Sequence, residues 1–208
     1  MYSMYYGEKL NAWTHLIGTI IAIPAVVILI VVAALGGDPW KIMSVSIYGA
    51  TLILLYSFST LYHSVRGRAK VILRKLDHHS IYLLIAGSYT PFCLVTLRGP
   101  WGWSLFGVVW GLASIGHLQE LWQQSGARVL SLIIYSLMGW LALVALVPMI
   151  HALGLSGFAW VAAGGILYTI GIIFYVLDTR LNHGHGIWHM FVMAGSTAHY
   201  VAILRYVL

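Results

Sequence analysis

Two histidines, His185 and His189, stand four residues apart at the start of the last apolar run of the chain. On a helix, residues i and i+4 share a face, with Cβ atoms roughly 5–6 Å apart. Two imidazoles at that spacing can reach one metal ion. Zinc accepts neutral imidazole nitrogens, usually with three or four protein ligands in tetrahedral array. The pair opens a stretch that reads as a membrane span, where a ligating or ionisable group is costly and by default marks function. The plainer reading is two interfacial histidines at a helix start. Further candidates lie upstream: Ser59-x-x-x-His63 ends the second apolar run, and Leu76-Asp77-His78-His79 opens the third.

Those residues sit in a chain built for lipid. Of 208 residues, 61% are hydrophobic and 8% charged, whereas soluble domains carry about 25% charged residues. The fold class expected is an all-α integral membrane protein, a seven-helix bundle forming one domain over 1–208. Spans are expected at about 12–35, 41–63, 77–97, 101–119, 128–150, 157–177 and 186–207. Gly36-Gly37-Asp38-Pro39, Arg98-Gly99-Pro100, Gln123-Gln124-Ser125-Gly126 and Leu153-Gly154-Leu155-Ser156-Gly157 punctuate them. The first run is too long for a signal-peptide core and lacks a small-x-small cleavage site, so it reads as a retained span. The single cysteine, Cys93, excludes an internal disulfide.

Orientation follows from charge, because cytoplasmic loops are rich in Lys and Arg. With the N-terminus inside, Lys9, Arg66, Arg68, Lys70, Arg74, Lys75, Arg128 and Arg180 fall inside. Lys41, Arg98 and Arg205 fall outside. The C-terminus is then outside, as an odd span count requires. The net charge of +6 is accounted for by these loops, and nucleic acid is not expected as a partner. Membrane lipids are, with the chain multi-pass in the cell membrane.

This topology gathers His63, Asp77, His185 and His189 at the inner end of three helices. Three histidines and a carboxylate have metal-site character; the alternative is a satisfied polar network without metal. Ser59, one turn before His63, can hydrogen-bond a ligand imidazole or a water at the metal. Glu8, Asn11 and His15 follow i, i+3, i+7 spacing and form a polar stripe at the same level, expected as a supporting shell. His199 lies ten residues beyond His189, about 15 Å along a helix. It is too far to bind the same ion and joins the supporting set as a buried, hydrogen-bonded or cavity-lining group. His78 and His79 read as interfacial or packing residues, and Asp178 with Arg180 as a solvated loop.

Ser59-x-x-x-His63, Leu76-Asp77 and His185-x-x-x-His189 with Gly195-Ser196-x-x-His199 resemble the hemolysin-III family, within the group of progestin and adiponectin receptors. Glu8-x-x-Asn11-x-x-x-His15 and Ala86-Gly87-Ser88-Tyr89-Thr90-Pro91-Phe92 fit its other motifs. The resemblance implies a seven-helix bundle with a cytoplasmic N-terminus. It implies zinc near the cytoplasmic leaflet, held by His63, His185 and His189, with Asp77 and Ser59 around its water. One departure is Asn182-His183-Gly184-His185, where the familiar bacterial pattern has a single Asn-His. His183 therefore competes with His185, although the spacing to His189 favours His185.

Three protein ligands leave a fourth position open, as in catalytic zinc sites, and zinc lowers the pKa of water from about 15.7 to near 7. The expectation is a hydrolase of lipid amide or ester bonds acting through metal-activated water. Asp77 would carry the proton and Ser59 would orient the nucleophile or steady the oxyanion. The resemblance points to ceramidase-like relatives and membrane-lipid homeostasis. A non-catalytic sensor or receptor-like regulator with structural zinc is the alternative. A pore-forming hemolysin is disfavoured, since a retained bundle without a secretable amphipathic segment is a poor cytolysin.

Overall fold

A computed structural model describes residues 7–122 and 128–208. The expected breaker at 123–126 lies outside the described residues. The described residues form helices joined by short turns. Helix α1 (Glu8–Gly36) ends at Gly37, whose left-handed φ of 71° lets its N–H reach the Ala34 carbonyl. Helix α2 (Pro39–Ser64) starts where the Asp38 carboxylate accepts the Trp40 N–H at 2.9 Å. Pro39 occupies the first turn, where its missing N–H costs nothing.

Helix α3 (Arg68–Pro91) begins ahead of the span expected from 77. The basic stretch read as a connection is already helical from Arg68, after a turn at Gly67 with φ 70°. Arg and Lys are good helix formers, and a helix needs no apolar residues in turns that stand outside the hydrocarbon. Lys70 anchors this extension: its ammonium donates to Glu8 at 2.6 Å and to the Tyr62 carbonyl at 2.9 Å. The far end of α3 passes at Pro91 into a π-helical turn, Phe92–Thr96. Helix α4 is Pro100–Trp122.

The stretch expected as spans 128–150 and 157–177 departs from regular geometry twice. Helix α5 (Val129–Trp140) runs into a 3₁₀ turn, Leu141–Ala145, before α6 (Leu146–Val176). Inside α6 the backbone leaves helical geometry at Gly154 alone, with φ 69° and ψ 169°. A loop was expected there; one glycine suffices. The change of helix type at 141 would strand backbone groups that lipid cannot solvate. Tyr89 bridges it: its hydroxyl donates to the Gly139 carbonyl and accepts the Ala142 N–H, each at 2.9 Å. Helix α7 is Gly184–Tyr206.

Among the described residues, four helical stretches are long and apolar enough to cross a membrane: Glu8–Gly36, Pro39–Ser64, the run Val129–Val176, and Gly184–Tyr206. Large side chains such as Ile20, Val27, Leu137, Val144 and Ile173 face outward, as lipid permits. Long apolar helices with large aliphatic side chains turned outward are the build of a helical membrane protein. Helix α2 packs closely against both α1 and α3, α6 against α7, while α5 approaches α6 only sparsely.

Close approach depends on small residues, the usual device of membrane helices. A methyl group at Gly87 would run into the Thr51 side chain. Thr51 cannot swing away without losing its bond to the Tyr48 carbonyl at 2.8 Å. Gly87→Ala is therefore expected to cost about 1–3 kcal/mol of stability, the range for overpacking a close-fitted core. At Gly107 nothing lies within 4 Å of the added methyl, and Gly107→Ala should be neutral or better. Thermal unfolding in detergent compares the two; equal melting temperatures would contradict this account of the α2–α3 contact.

Candidate metal centre

His63 occupies the last turn of α2, and His185 and His189 the first turns of α7. One ring nitrogen from each of the three lies within 4.8 Å of the others. The ring centroids are 5.1 Å apart for His63–His185 and His63–His189, and 4.8 Å for His185–His189. His63 and His189 are buried. His183 stands outside this group: it caps α7 in left-handed geometry, φ 63°, with its side chain exposed.

The hydrogen bonds on the far side of two rings set their tautomers. Nδ1 of His189 lies 3.1 Å from the Asn11 carbonyl, a group that can only accept. The proton must sit on Nδ1, which leaves the Nε2 lone pair unused. Thr14 Oγ1 is 3.2 Å from the same Nδ1. Nδ1 of His185 lies 3.2 Å from an Asp178 carboxylate oxygen, with the same consequence. Nε2 of His185, Nε2 of His189 and both nitrogens of His63 are buried without a protein partner. Buried polar atoms are rarely left unpaired. Three imidazoles so arranged at one point form a donor set that suits a divalent cation, and a carboxylate behind a ligand imidazole is the usual outer support.

The other expected site residues divide into two groups. His15 lies against the centre, its ring stacked on His189 with centroids 3.7 Å apart and planes 6° off parallel. Asp77 and Ser59 are buried, at 6% and 1% exposure, and line the same cavity as His63 and His185. The Ser59 hydroxyl faces the Asp77 carboxylate without closing a hydrogen bond to it. Asn11 contributes through its backbone carbonyl. Glu8 stands off, committed to Lys70. His199 is apart as well: its Nε2 is 3.2 Å from the Val161 carbonyl, and its ring packs on Gly164 and near Tyr168.

Three contributors carried no sequence signal. Asp178 was expected in a solvated loop, but the turns between α6 and α7 fold it back onto His185. Thr14 lies in an apolar run. Glu120, 2% exposed, receives the Arg128 guanidinium, with Nδ1 of His78 at 3.4 Å and the Ser131 hydroxyl at 3.4 Å.

A cavity of about 730 Å³ opens from this centre, within the usual range for small-molecule sites. It runs from Asp77, His63 and His185 past Ile81, Leu84 and Tyr89 to Met149, Val161 and His199. The charged groups lie near the histidines, and the rest of the wall is mainly apolar and aromatic, with Ser88, Thr169 and His199 among it.

With the geometry in place, comparison with known proteins is decisive on ancestry. The family model described as haemolysin-III related matches residues 4–200. The chain belongs to that family. It is 44% identical to Hemolysin-3 of Bacillus cereus, over 97% of this chain and 92% of the relative. It is 43% identical to the Hemolysin-3 homolog of Bacillus subtilis (strain 168), over 96% and 93%. The human monocyte to macrophage differentiation factor is 30% identical over 97% of this chain and 84% of its own, consistent with the wider progestin and adiponectin receptor group. The haemolysin-III resemblance read from the motifs thus holds over nearly the whole length.

Metal binding by this haemolysin-III relative is testable ligand by ligand. His189→Ala, which removes a fully buried donor, should abolish tight zinc retention in elemental analysis of purified protein. Asp178→Ala leaves all three donors but loosens one, and affinity in a chelator competition should fall about 10–100-fold, the usual effect of losing an outer-shell partner. Wild-type affinity in the Asp178 variant would remove it from the site.

Proposed function

We propose that this protein is a zinc-dependent hydrolase of lipid amide or ester bonds, with its centre at the cytoplasmic end of a seven-span bundle. The observation that carries the reading is the meeting of three imidazoles with buried nitrogens that have no protein partner, a buried carboxylate and a largely apolar cavity. Nitrogen-only ligation suits zinc. His63, His185 and His189 would hold the zinc, which would supply a Lewis acid for a carbonyl oxygen and a means of acidifying water at neutral pH.

The chain's own residues do the rest. Asn11 and Asp178 hold the Nδ1 protons and so keep the ligand nitrogens presented. Asp77 takes the proton released by the attacking water and passes it to the leaving amine or alkoxide. The Ser59 hydroxyl, beside Asp77, donates to the oxygen that gains charge. The cavity seats the acyl chain between α3, α5, α6 and α7 and keeps bulk water from the reacting carbonyl. Membrane lipids are the partners this assigns, and the cell membrane the location. The proposed span count rests on direction: the segments lining the polar end alternate between the N-terminal side of a helix (Glu8, Asp77, Arg128, His185) and the C-terminal side of one (His63, Glu120, Asp178). This alternation supports seven crossings, α5 with the first part of α6 making the fifth. The Lys and Arg asymmetry favours a cytoplasmic polar end.

A metal that only staples α2 to α7 is the second reading, favoured by the fact that its donors come from these two helices alone. Asp77→Asn separates the two. The amide fills the same volume but takes no proton at neutral pH. Turnover of a lipid amide or ester should drop by roughly 10²–10⁴-fold, with about one zinc per chain retained. Unchanged turnover with zinc intact would remove Asp77 from the chemistry and favour the staple. Topology has its own check: a reporter fused after Leu208 should behave as non-cytoplasmic, and a cytoplasmic signal would leave an even number of crossings.

A further inference from the structure

The charged groups lining the polar end of the cavity are mostly committed. Glu8 is taken by Lys70, Glu120 by Arg128 and Asp178 by His185. Arg74 and Lys75, on the second turn of α3, line the same cavity with exposed side chains. Among the described residues neither has an ion-pair partner. Arg74 is close enough to act electrostatically on both Tyr62 and His78, which also line the mouth. Asp77 follows Arg74 by three residues, about 4.5 Å of helix rise, so the two cations sit roughly one turn outside the carboxylate.

We propose that Arg74 and Lys75 form a headgroup subsite that selects lipids carrying a phosphate only a few bonds from the acyl carbonyl. The assignment rests on the hydrolase reading for what happens next, but binding stands by itself. A guanidinium and an ammonium recognise phosphate by charge-assisted hydrogen bonds. With the phosphate at the mouth, the acyl linkage falls level with Asp77 and the chain continues into the apolar part of the cavity. The depth of apolar wall beyond the two cations favours a lipid over free phosphate.

The test is binding by the purified full chain in neutral detergent, using a fluorescently tailed N-acyl amino alcohol and its phosphate monoester. Wild type should prefer the phosphorylated lipid by roughly tenfold, the order expected of charge-assisted contacts at a partly solvated site. The preference, read as a ratio within each protein, should vanish in Arg74→Gln/Lys75→Gln and survive in Arg74→Lys/Lys75→Arg. Equal binding of the two lipids by wild type overturns the proposal. So does a preference that persists in the double Gln variant, since the centre itself would then be holding the phosphate, and so does its loss in the charge-preserving variant. Inorganic phosphate that displaces the probe as well as the phospholipid does would make this a soluble-anion site. Asp77→Asn should keep the full preference, so failure of the hydrolase reading leaves this result standing.

Discussion

The arrangement depends on where two protons sit. If the Nδ1 protons of His185 and His189 were not held by Asp178 and Asn11, each ring could present either nitrogen, or a proton, to the centre. Three N–H groups at one buried point would repel. Three lone pairs also repel, and a bound cation relieves that repulsion. The carbonyl of Asn11 and the carboxylate of Asp178 thus decide what kind of guest the pocket accepts. Helix α1 matters to the site for this reason more than for any side chain it extends: Leu10 and Asn11 pack against Gly186, and that contact brings the carbonyl to His189.

Lipid imposes the second constraint. An unpaired polar group costs several kcal/mol in hydrocarbon, so each irregularity needs its own partner. Tyr89 answers for the change of helix type at Leu141. Lys70 draws the first turn of α3 onto α1 and α2. Glu120, Arg128, Ser131 and His78 form a buried cluster that satisfies itself at the same end of the bundle as the histidines. Polar chemistry is therefore concentrated at one level, and the remaining walls are free to be apolar.

The parts of this legible in the sequence were those carried by local spacing. His185 and His189 at i, i+4, Ser59 one turn before His63, and Asp77 opening an apolar run each encode a helix face, and all of them line one centre or its cavity. The break at Gly154 was visible in its cluster of glycines. What could not be read depends on how distant turns fold together. Asp178 reaches His185 only through the turn geometry of 177–184. Thr14 looks like any threonine in an apolar helix. The early start of α3 was hidden because charged residues mark a helix leaving the membrane as well as they mark a loop. Glu8 fitted a periodic stripe that α1 forms, but its carboxylate is claimed by Lys70.

The donors come from the second and the last helices, and His185 follows His63 by 122 positions. At synthesis rates of about 5–20 residues per second, His63 waits roughly 6–24 s before its partners emerge. During that interval the nascent membrane segment carries two buried-type imidazoles, His15 and His63, without the ring that will stack on one and face the other. Closure of the centre must wait until α7 has emerged. A chain truncated before α7 would leave those imidazoles exposed, a ready mark of incompleteness for membrane quality control.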